Sequence, residues 1–221
     1  AADFEKEIGQ HVDFEFGDSG HMLDSVAKRL NGDLFLPADS SFIRLAEERG
    51  LVTEAFPVCR MRAVILTGHG NPHRIARFED LLKPGLKVSI ANPDKAAIGK
   101  VVKDNLTKTG KWNTLSAHLE VQHTTVTDSA NAVQLGSIDA AIVWDAVAIN
   151  YPELSIVHIG ELYHAIGKVE IVVLNTAANP SGAWQFAQYT TASDRGLPQF
   201  RKWGFSEVEK GSPWTPHTGG P

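Results

Sequence analysis

Segments of strand pattern and segments of helical pattern alternate along this chain, and that order constrains its fold more than any other feature. His11–Phe16 alternates polar and apolar residues, which predicts a half-buried strand. After the break at Gly17-Asp18-Ser19-Gly20, Met22, Leu23, Val26, Ala27 and Leu30 recur at helical spacing. The same succession continues. Strands are predicted at Asp33–Pro37, Val58–Thr67, Leu86–Ala91, Val121–Val126, Ala140–Trp144, Ile156–Ile159 and Val169–Leu174. Between and after them, helices are predicted at Ser40–Gly50, Ile98–Leu106 and Ser129–Leu135, with a mostly helical stretch from Ser181 to Gly204. Such alternation gives an α/β fold with mainly parallel sheets. Gly211–Pro221, rich in Gly and Pro, reads as a loose tail.

Three of the strand-to-helix turns share one design: Gly17-Asp18-Ser19-Gly20, Asn92–Gly99 and Thr127-Asp128-Ser129. In open α/β sheets ligands bind beyond the carboxyl ends of the strands, where helix N-termini offer free N–H groups. Ser19 is the best single candidate, because Gly17 and Gly20 let a ligand approach the backbone closely. The same residues also suit simple helix caps, Asp18, Ser19 and Ser129 among them. Spacing alone therefore reaches an anion or polar-ligand site and leaves capping open.

Composition narrows the classes. The 221 residues are 43% hydrophobic and 21% charged, ordinary for a globular chain with a sizeable core. A net charge of −5 and the lack of a long basic run argue against nucleic acid as a partner. Small anions remain possible, since a helix N-terminus attracts them without lysine or arginine. Cys59 is the single cysteine, which excludes an intrachain disulfide. No apolar run approaches the ~18 residues of a membrane span.

From the first helix to Phe205 the chain resembles the molybdate- and tungstate-binding members of the periplasmic solute-binding proteins. The resemblance rests on Asp3-Phe-Glu-Lys-Glu7, Phe16-Gly-Asp-Ser-Gly-His-Met-Leu23, Gly32-Asp-Leu-Phe-Leu-Pro-Ala-Asp39 and Asn92-Pro-Asp-Lys-Ala-Ala-Ile-Gly99. It continues through Leu135-Gly-Ser-Ile-Asp-Ala-Ala-Ile-Val-Trp-Asp-Ala-Val-Ala148. It implies a two-lobed periplasmic-binding-protein-like fold, each lobe a mixed, mostly parallel sheet flanked by helices, joined by crossing hinge strands. Lobe one would be 1–66 with 168–221, and lobe two 67–167, with Val58–Thr67 and Val169–Leu174 as the crossover.

The resemblance also implies the function: capture of a tetrahedral oxyanion, molybdate or tungstate, between the lobes for an ABC-type permease. The anion would be held by Ser19 and Gly20, by backbone N–H groups at Ala97 and Ile98, and by a second backbone donor near Asp128 and Ser129. Trp144 falls where some relatives carry a tyrosine donor, and its indole N–H can substitute. No cofactor is expected, the anion being cargo. The chain is expected to be a monomer outside the cytoplasm with its leader peptide removed, and not an enzyme. Other ligands of the same fold (sulfate, phosphate, a metal ion) and a ligand-sensing role stay open.

Two departures from the family matter. The family's first strand, whose following turn supplies another anion-binding hydroxyl, has no counterpart in the residues given, so that ligand is expected to be missing. Asp145 stands where certain archaeal relatives use a carboxylate to ligate the metal centre of the oxyanion directly. Their second carboxylate aligns here with Ala96. The other reading of Asp145 is a cap for a helix over Ala146–Tyr151.

The remaining chemistry-bearing residues carry less. His69 and His73 lie four apart in a Gly/Pro loop with no third ligand, short of what a zinc site needs. His21, close to Ser19, would add positive charge to the cleft when protonated. Cys59 lies mid-strand, as a small buried side chain does, and Arg60 and Arg62 share the opposite face. The sequence has no nucleophile elbow, P-loop or dinucleotide fingerprint. Trp112, Trp184, Trp203 and Trp214 are too scattered for a sugar platform, and Trp184 and Trp203 are expected to pack among the C-terminal helices.

Overall fold

The structure, a computed structural model, describes residues 1–205 and 207–215. Helices α1 (Ala2–Ile8) and α2 (Ser19–Arg29) precede strand β1 (Leu34–Phe35), helix α3 (Ser40–Glu48) and the long strand β2 (Val52–Thr67). Then come β3 (Val88–Ala91), α4 (Ala97–Lys108), α5 (Trp112–Ser116), β4 (Leu119–His123), α6 (Val126–Gln134) and β5 (Ala140–Trp144). The chain continues through α7 (Asp145–Ala148), β6 (Ser155–Val157), β7 (Ile166–Leu174), α8 (Pro180–Thr190), α9 (Gly196–Lys202) and β8 (Glu207–Val208).

Two compact units result. Unit 1 holds Ala1–Cys59, Lys168–Trp203 and the described residues from Glu207 onward; unit 2 holds Arg60–Gly167 with Gly204 and Phe205. The chain passes between them within β2, within β7, after Trp203 and again before Glu207.

In unit 2, β3 pairs in parallel with both β4 and β5, while β2 pairs antiparallel with β5 and β6. The uninterrupted apolar run of β5 follows from its place between β2 and β3: all five residues are buried. Its neighbours Val64, Leu66, Ala130, Val133 and Ile138 pack into the same core. In unit 1, β1 pairs antiparallel with β7, with Leu34 opposite Val173. Phe4, Tyr189, Ala192 and Trp214 form a separate apolar cluster.

Several sequence expectations are corrected. His11–Phe16 is not a strand: it is irregular, with Phe14 57% and Phe16 86% exposed. Alternation shows only that every second side chain suits one face, and a strand also needs a hydrogen-bonded neighbour. Gly211–Thr215 is not loose, because the Trp214 ring is buried and Ser193 N–H donates to the Ser212 carbonyl at 2.9 Å. The rest of that stretch, 216–221, lies outside the described residues. Trp203 does not pack among the helices but is 59% exposed. Trp184 is half-buried and its Nε1 donates to Glu54 Oε2 at 2.8 Å. Short α5 was not anticipated; its Trp112 and Leu115 are buried.

Candidate functional site

Strands β3, β4 and β5 run parallel, so their carboxyl ends share one edge of the unit 2 sheet. Each is followed by a helix: α4 after β3, α6 after β4 and α7 after β5. Three helix N-termini, with their unsatisfied N–H groups and positive dipole ends, therefore collect at one edge.

The start of α4 is the most suggestive of the three. Its N-cap is Ala96, which has no side-chain oxygen, so no side-chain hydrogen bond caps the helix. Yet Ala97, Ile98 and Gly99 of the first turn are all buried. Buried backbone N–H groups are almost always paired, so a buried, uncapped first turn is suited to an external acceptor. Gly99 makes this turn possible. A Cβ there would run into the Ala91 carbonyl and come within 2.7 Å of Pro93, so only glycine lets α4 start so close to the end of β3. The loop between is pinned by Asn92, whose N–H donates to the His123 carbonyl at 2.8 Å and whose own carbonyl accepts from Ala96 N–H at 2.8 Å.

At α6 the geometry redistributes the predicted donors. Thr125 is the N-cap and forms a reciprocal capping box with Asp128: Thr125 Oγ1 accepts from Asp128 N–H, and the Asp128 carboxylate accepts from Thr125 N–H. The Asp128 amide is thus taken. Ser129 is fully buried, is the fourth helical residue rather than a cap, and its Oγ lies 3.1 Å from His123 Nδ1. The first-turn amides that the box leaves over belong to Val126 and Thr127.

Beside them, Trp144 is 2% exposed and serves as N-cap of α7. Asp145 Oδ1 accepts from Ala146 N–H at 2.8 Å and from Arg62 N–H on β2 at 3.0 Å. Asp145 is thus the first residue of α7, a helix shorter than Ala146–Tyr151, rather than its cap, and its Oδ1 ties the end of β5 to β2. The Arg62 guanidinium lies over the Tyr163 ring, 4.6 Å from its centroid, and donates to the Tyr163 carbonyl.

Unit 1, taken by itself, has a helix start with a different kind of donor. Asp18 is the N-cap of α2, its Oδ1 accepting from His21 N–H at 2.8 Å. Ser19 and Gly20 open the helix and are buried. Ser19 Oγ accepts from Ala38 N–H at 3.2 Å. With its oxygen taken as acceptor, the hydroxyl keeps its proton for another acceptor. His21 is mostly exposed, its Nδ1 3.9 Å from Asp18 Oδ2.

Cys59 is buried in β2. His73 Nε2 lies 3.4 Å from Asp139 Oδ1. Among the described residues no group of three or more His, Cys, Asp or Glu side chains is arranged to hold a metal ion, and no helix is long and apolar enough to cross a membrane. Sequence reasoning missed His123. The visible signal was a histidine closing β4 just before the Thr-Thr-Val-Thr-Asp capping sequence.

Comparisons with known proteins agree with this architecture. The molybdate-binding proteins ModA of Mycobacterium bovis and Mycobacterium tuberculosis are 28% identical to the chain over 188 residues, 84% of this chain and 70% of theirs. The structure of the Azotobacter vinelandii periplasmic molybdate-binding protein superposes with a TM-score of 0.78 at 19% identity, covering 95% of this chain and 93% of that one. The sulfate-binding protein SubI of Mycobacterium tuberculosis gives a TM-score of 0.81 at 20% identity, covering 93% and 79%. These likenesses establish the two-lobed α/β fold of the periplasmic binding proteins. The chain matches the family described as bacterial extracellular solute-binding protein over residues 1–206, and it belongs to that family.

Proposed function

We propose that this chain captures a fully ionised tetrahedral oxyanion, molybdate or tungstate, outside the cytoplasm and delivers it to an ABC-type membrane permease. The observation that carries the reading is the buried, uncapped first turn of α4 at Ala97, Ile98 and Gly99, next in the sheet to the α6 turn at Val126 and Thr127. Ser19 would add a hydroxyl donor from unit 1, and Trp144 an indole N–H from unit 2. All of these are neutral donors. A site built from them favours a dianion that carries no proton, because a protonated oxyanion needs an acceptor as well.

Capture would work by closure, the anion stabilising the closed state through contacts with both units. No chemical change of the cargo and no cofactor enter this reading, and one chain would bind one anion. Asp145 is proposed chiefly as a positioning residue, since Oδ1 already holds two backbone N–H groups. Direct ligation of the metal centre through its carboxylate is tested below.

Sulfate is the second reading, supported by the likeness to SubI and by 29% identity over 134 residues to the sulfate-binding protein of Synechococcus elongatus. Isothermal titration calorimetry against molybdate, tungstate, sulfate and phosphate separates the two. Tight one-to-one binding of molybdate or tungstate with silent sulfate supports the first reading. Binding of sulfate alone replaces it with the second, and silence from all four defeats both.

A further inference from the structure

His123 of unit 2 does more than its bond to Ser129 accounts for. It is the last residue of β4, and its carbonyl holds the loop that leads into α4 while α6 begins three residues further on. Leu119, Val121 and His123 share one face of the strand, with Ala91 of β3 as the register partner of His123. That face carries Ser129 of α6, so the ring is turned toward the first turns of that helix.

The two ring nitrogens differ. Nδ1 lies 3.1 Å from the Oγ of fully buried Ser129. Nε2 has no hydrogen-bond partner among the described residues, and no carboxylate of theirs lies within ion-pair distance of the ring. The residue is half-buried, neither sealed in the core nor fully solvated. When the Ser129 hydroxyl donates to Nδ1, the neutral ring keeps its proton on Nε2; when the ring is charged, both nitrogens carry one. In both states Nε2 is a donor. Only the tautomer that donates from Nδ1 to Ser129 leaves Nε2 an acceptor, and an anion would select against it.

The neighbouring elements carry Asp128 on α6, Asp94 and Lys95 in the loop after β3, and Asp145 at the end of β5. Glu120 stands on the opposite face of β4 itself. The Asp128 carboxylate accepts from Thr125 N–H, Asp145 Oδ1 from two backbone amides, and Asp94 pairs with Lys103 at 3.4 Å.

We propose that His123 is an additional anion-binding residue: its Nε2–H donates to the captured oxyanion, and the ring gains a proton as the anion enters. The inference rests on the oxyanion reading and deepens it. A dianion set among neutral donors keeps its full charge, and a charge-assisted N–H bond is roughly twice as strong as a neutral one. Anion and proton then favour each other, so affinity rises as pH falls through the range in which imidazole becomes charged. Backbone amides alone give no such dependence, because they do not titrate.

The test is calorimetric titration of the full chain with molybdate, tungstate and sulfate, all dianions near neutral pH. It is run at about pH 6 and about pH 8, which bracket imidazole, in two buffers of different ionisation enthalpy at each pH. Expected, for whichever anion the parent binds, are an affinity about tenfold higher at the lower pH and net proton uptake on binding. His123→Asn, which can still bond Ser129, should lose both the pH dependence and the uptake. A ring that only braces Ser129 would instead lower affinity equally at the two pH values in the variant, and that result overturns the proposal. So does a parent whose affinity ignores pH, or a variant that keeps the dependence, which would move the proton to another group. Binding without pH dependence leaves the oxyanion reading standing, whereas silence from all three anions at both pH values removes this proposal together with the molybdate, tungstate and sulfate readings.

Discussion

His123 Nδ1 lies 3.1 Å from Ser129 Oγ in the first turns of α6, while the carbonyl of the same histidine accepts the Asn92 N–H that leads into α4. One residue at the end of β4 thus braces both donor turns of unit 2. Removing the ring by His123→Ala leaves the fully buried Ser129 hydroxyl without that partner, a loss of about 1–3 kcal/mol of stability. The α6 turn should loosen while the backbone bond from Asn92 N–H to the carbonyl of residue 123 persists, lowering anion affinity by about tenfold, which corresponds to 1.4 kcal/mol. Thermal melting and calorimetry check both, and His123→Asn, which can still bond Ser129, should recover part of each. An unchanged melting curve would remove His123 from this role.

Gly99→Ala tests whether the α4 turn depends on close backbone approach. The new methyl meets the Ala91 carbonyl and Pro93, both backbone and unable to rotate away. Overpacking of this kind costs about 1–3 kcal/mol, against the small gain that alanine usually brings to a helix. Chemical denaturation should show a clear fall in stability. A gain would mean that α4 shifts freely and that its first turn is not a fixed donor.

Asp145 separates positioning from ligation. Asp145→Ala removes an acceptor from both Ala146 N–H and Arg62 N–H, with an expected loss of about 1–3 kcal/mol. Asp145→Asn keeps an oxygen for those amides, so stability should largely return. If the residue only positions the end of β5, anion affinity follows stability and returns as well. If the carboxylate ligates the metal centre, affinity stays low in the asparagine variant while stability is restored.

The parts of this architecture that were legible in the sequence are those that local pattern determines. Ala140–Trp144 was recovered to the residue because an uninterrupted apolar run bounded by turn residues is unambiguous. The turn at Ala97–Ile98 was placed by the family resemblance, because its N-cap Ala96 carries no capping side chain to mark the helix start. Asp128 and Ser129 were assigned as donors through the family resemblance, although the Thr125-Val-Thr-Asp128 pattern of a capping box, which consumes the Asp128 amide, was there to be read. His123, Ala38 beside Ser19 and Arg62 beside Asp145 were invisible for a different reason. Each contact joins residues from separate elements, and their separations of 6, 19 and 83 residues leave no periodic trace.

The pair Lys111–Glu161 gives unit 2 a pH-dependent brace. Lys111 Nζ lies 2.7 Å from Glu161 Oε1 and 3.3 Å from Glu79 Oε1. The bond to Lys111 holds the Glu161 carboxyl below its usual range, with burial opposing. A lowered folded value means that the unfolded chain binds the proton more readily, so the stabilisation exists above the ordinary carboxylate range and fades as pH falls through the folded value. Lys111 is raised, chiefly by the same bond, so its part is complete below the ordinary lysine range and fades as pH climbs through the folded value. Lys111→Met should therefore be less stable than the parent at neutral pH, with the gap closing in acid. Urea melts from neutral to strongly acidic pH check this, and a gap that does not close would contradict the pairing.

Trp214 shows how a stretch that reads as a tail contributes to a core. Its ring meets Tyr189 edge to face, centroids 5.3 Å apart, and Tyr189 meets Phe4 in the same way at 5.2 Å. Its backbone N–H donates to Asp194 Oδ1 at 2.7 Å. Trp214→Ala should cost about 3–5 kcal/mol, as large aromatic truncations in cores do. Tyr189 offers a second readout. Burial first, and then its bond to Glu7, push its hydroxyl up to about 12. Without the covering indole water reaches the ring, so its titration should move back toward the ordinary tyrosine value near ~10. Alkaline difference absorbance of the variant against the parent measures that shift directly. A variant that loses stability but leaves the high-pH titration unchanged would place the Trp214 contribution in other contacts of the indole rather than in cover for Tyr189, since alanine keeps the backbone N–H that bonds Asp194.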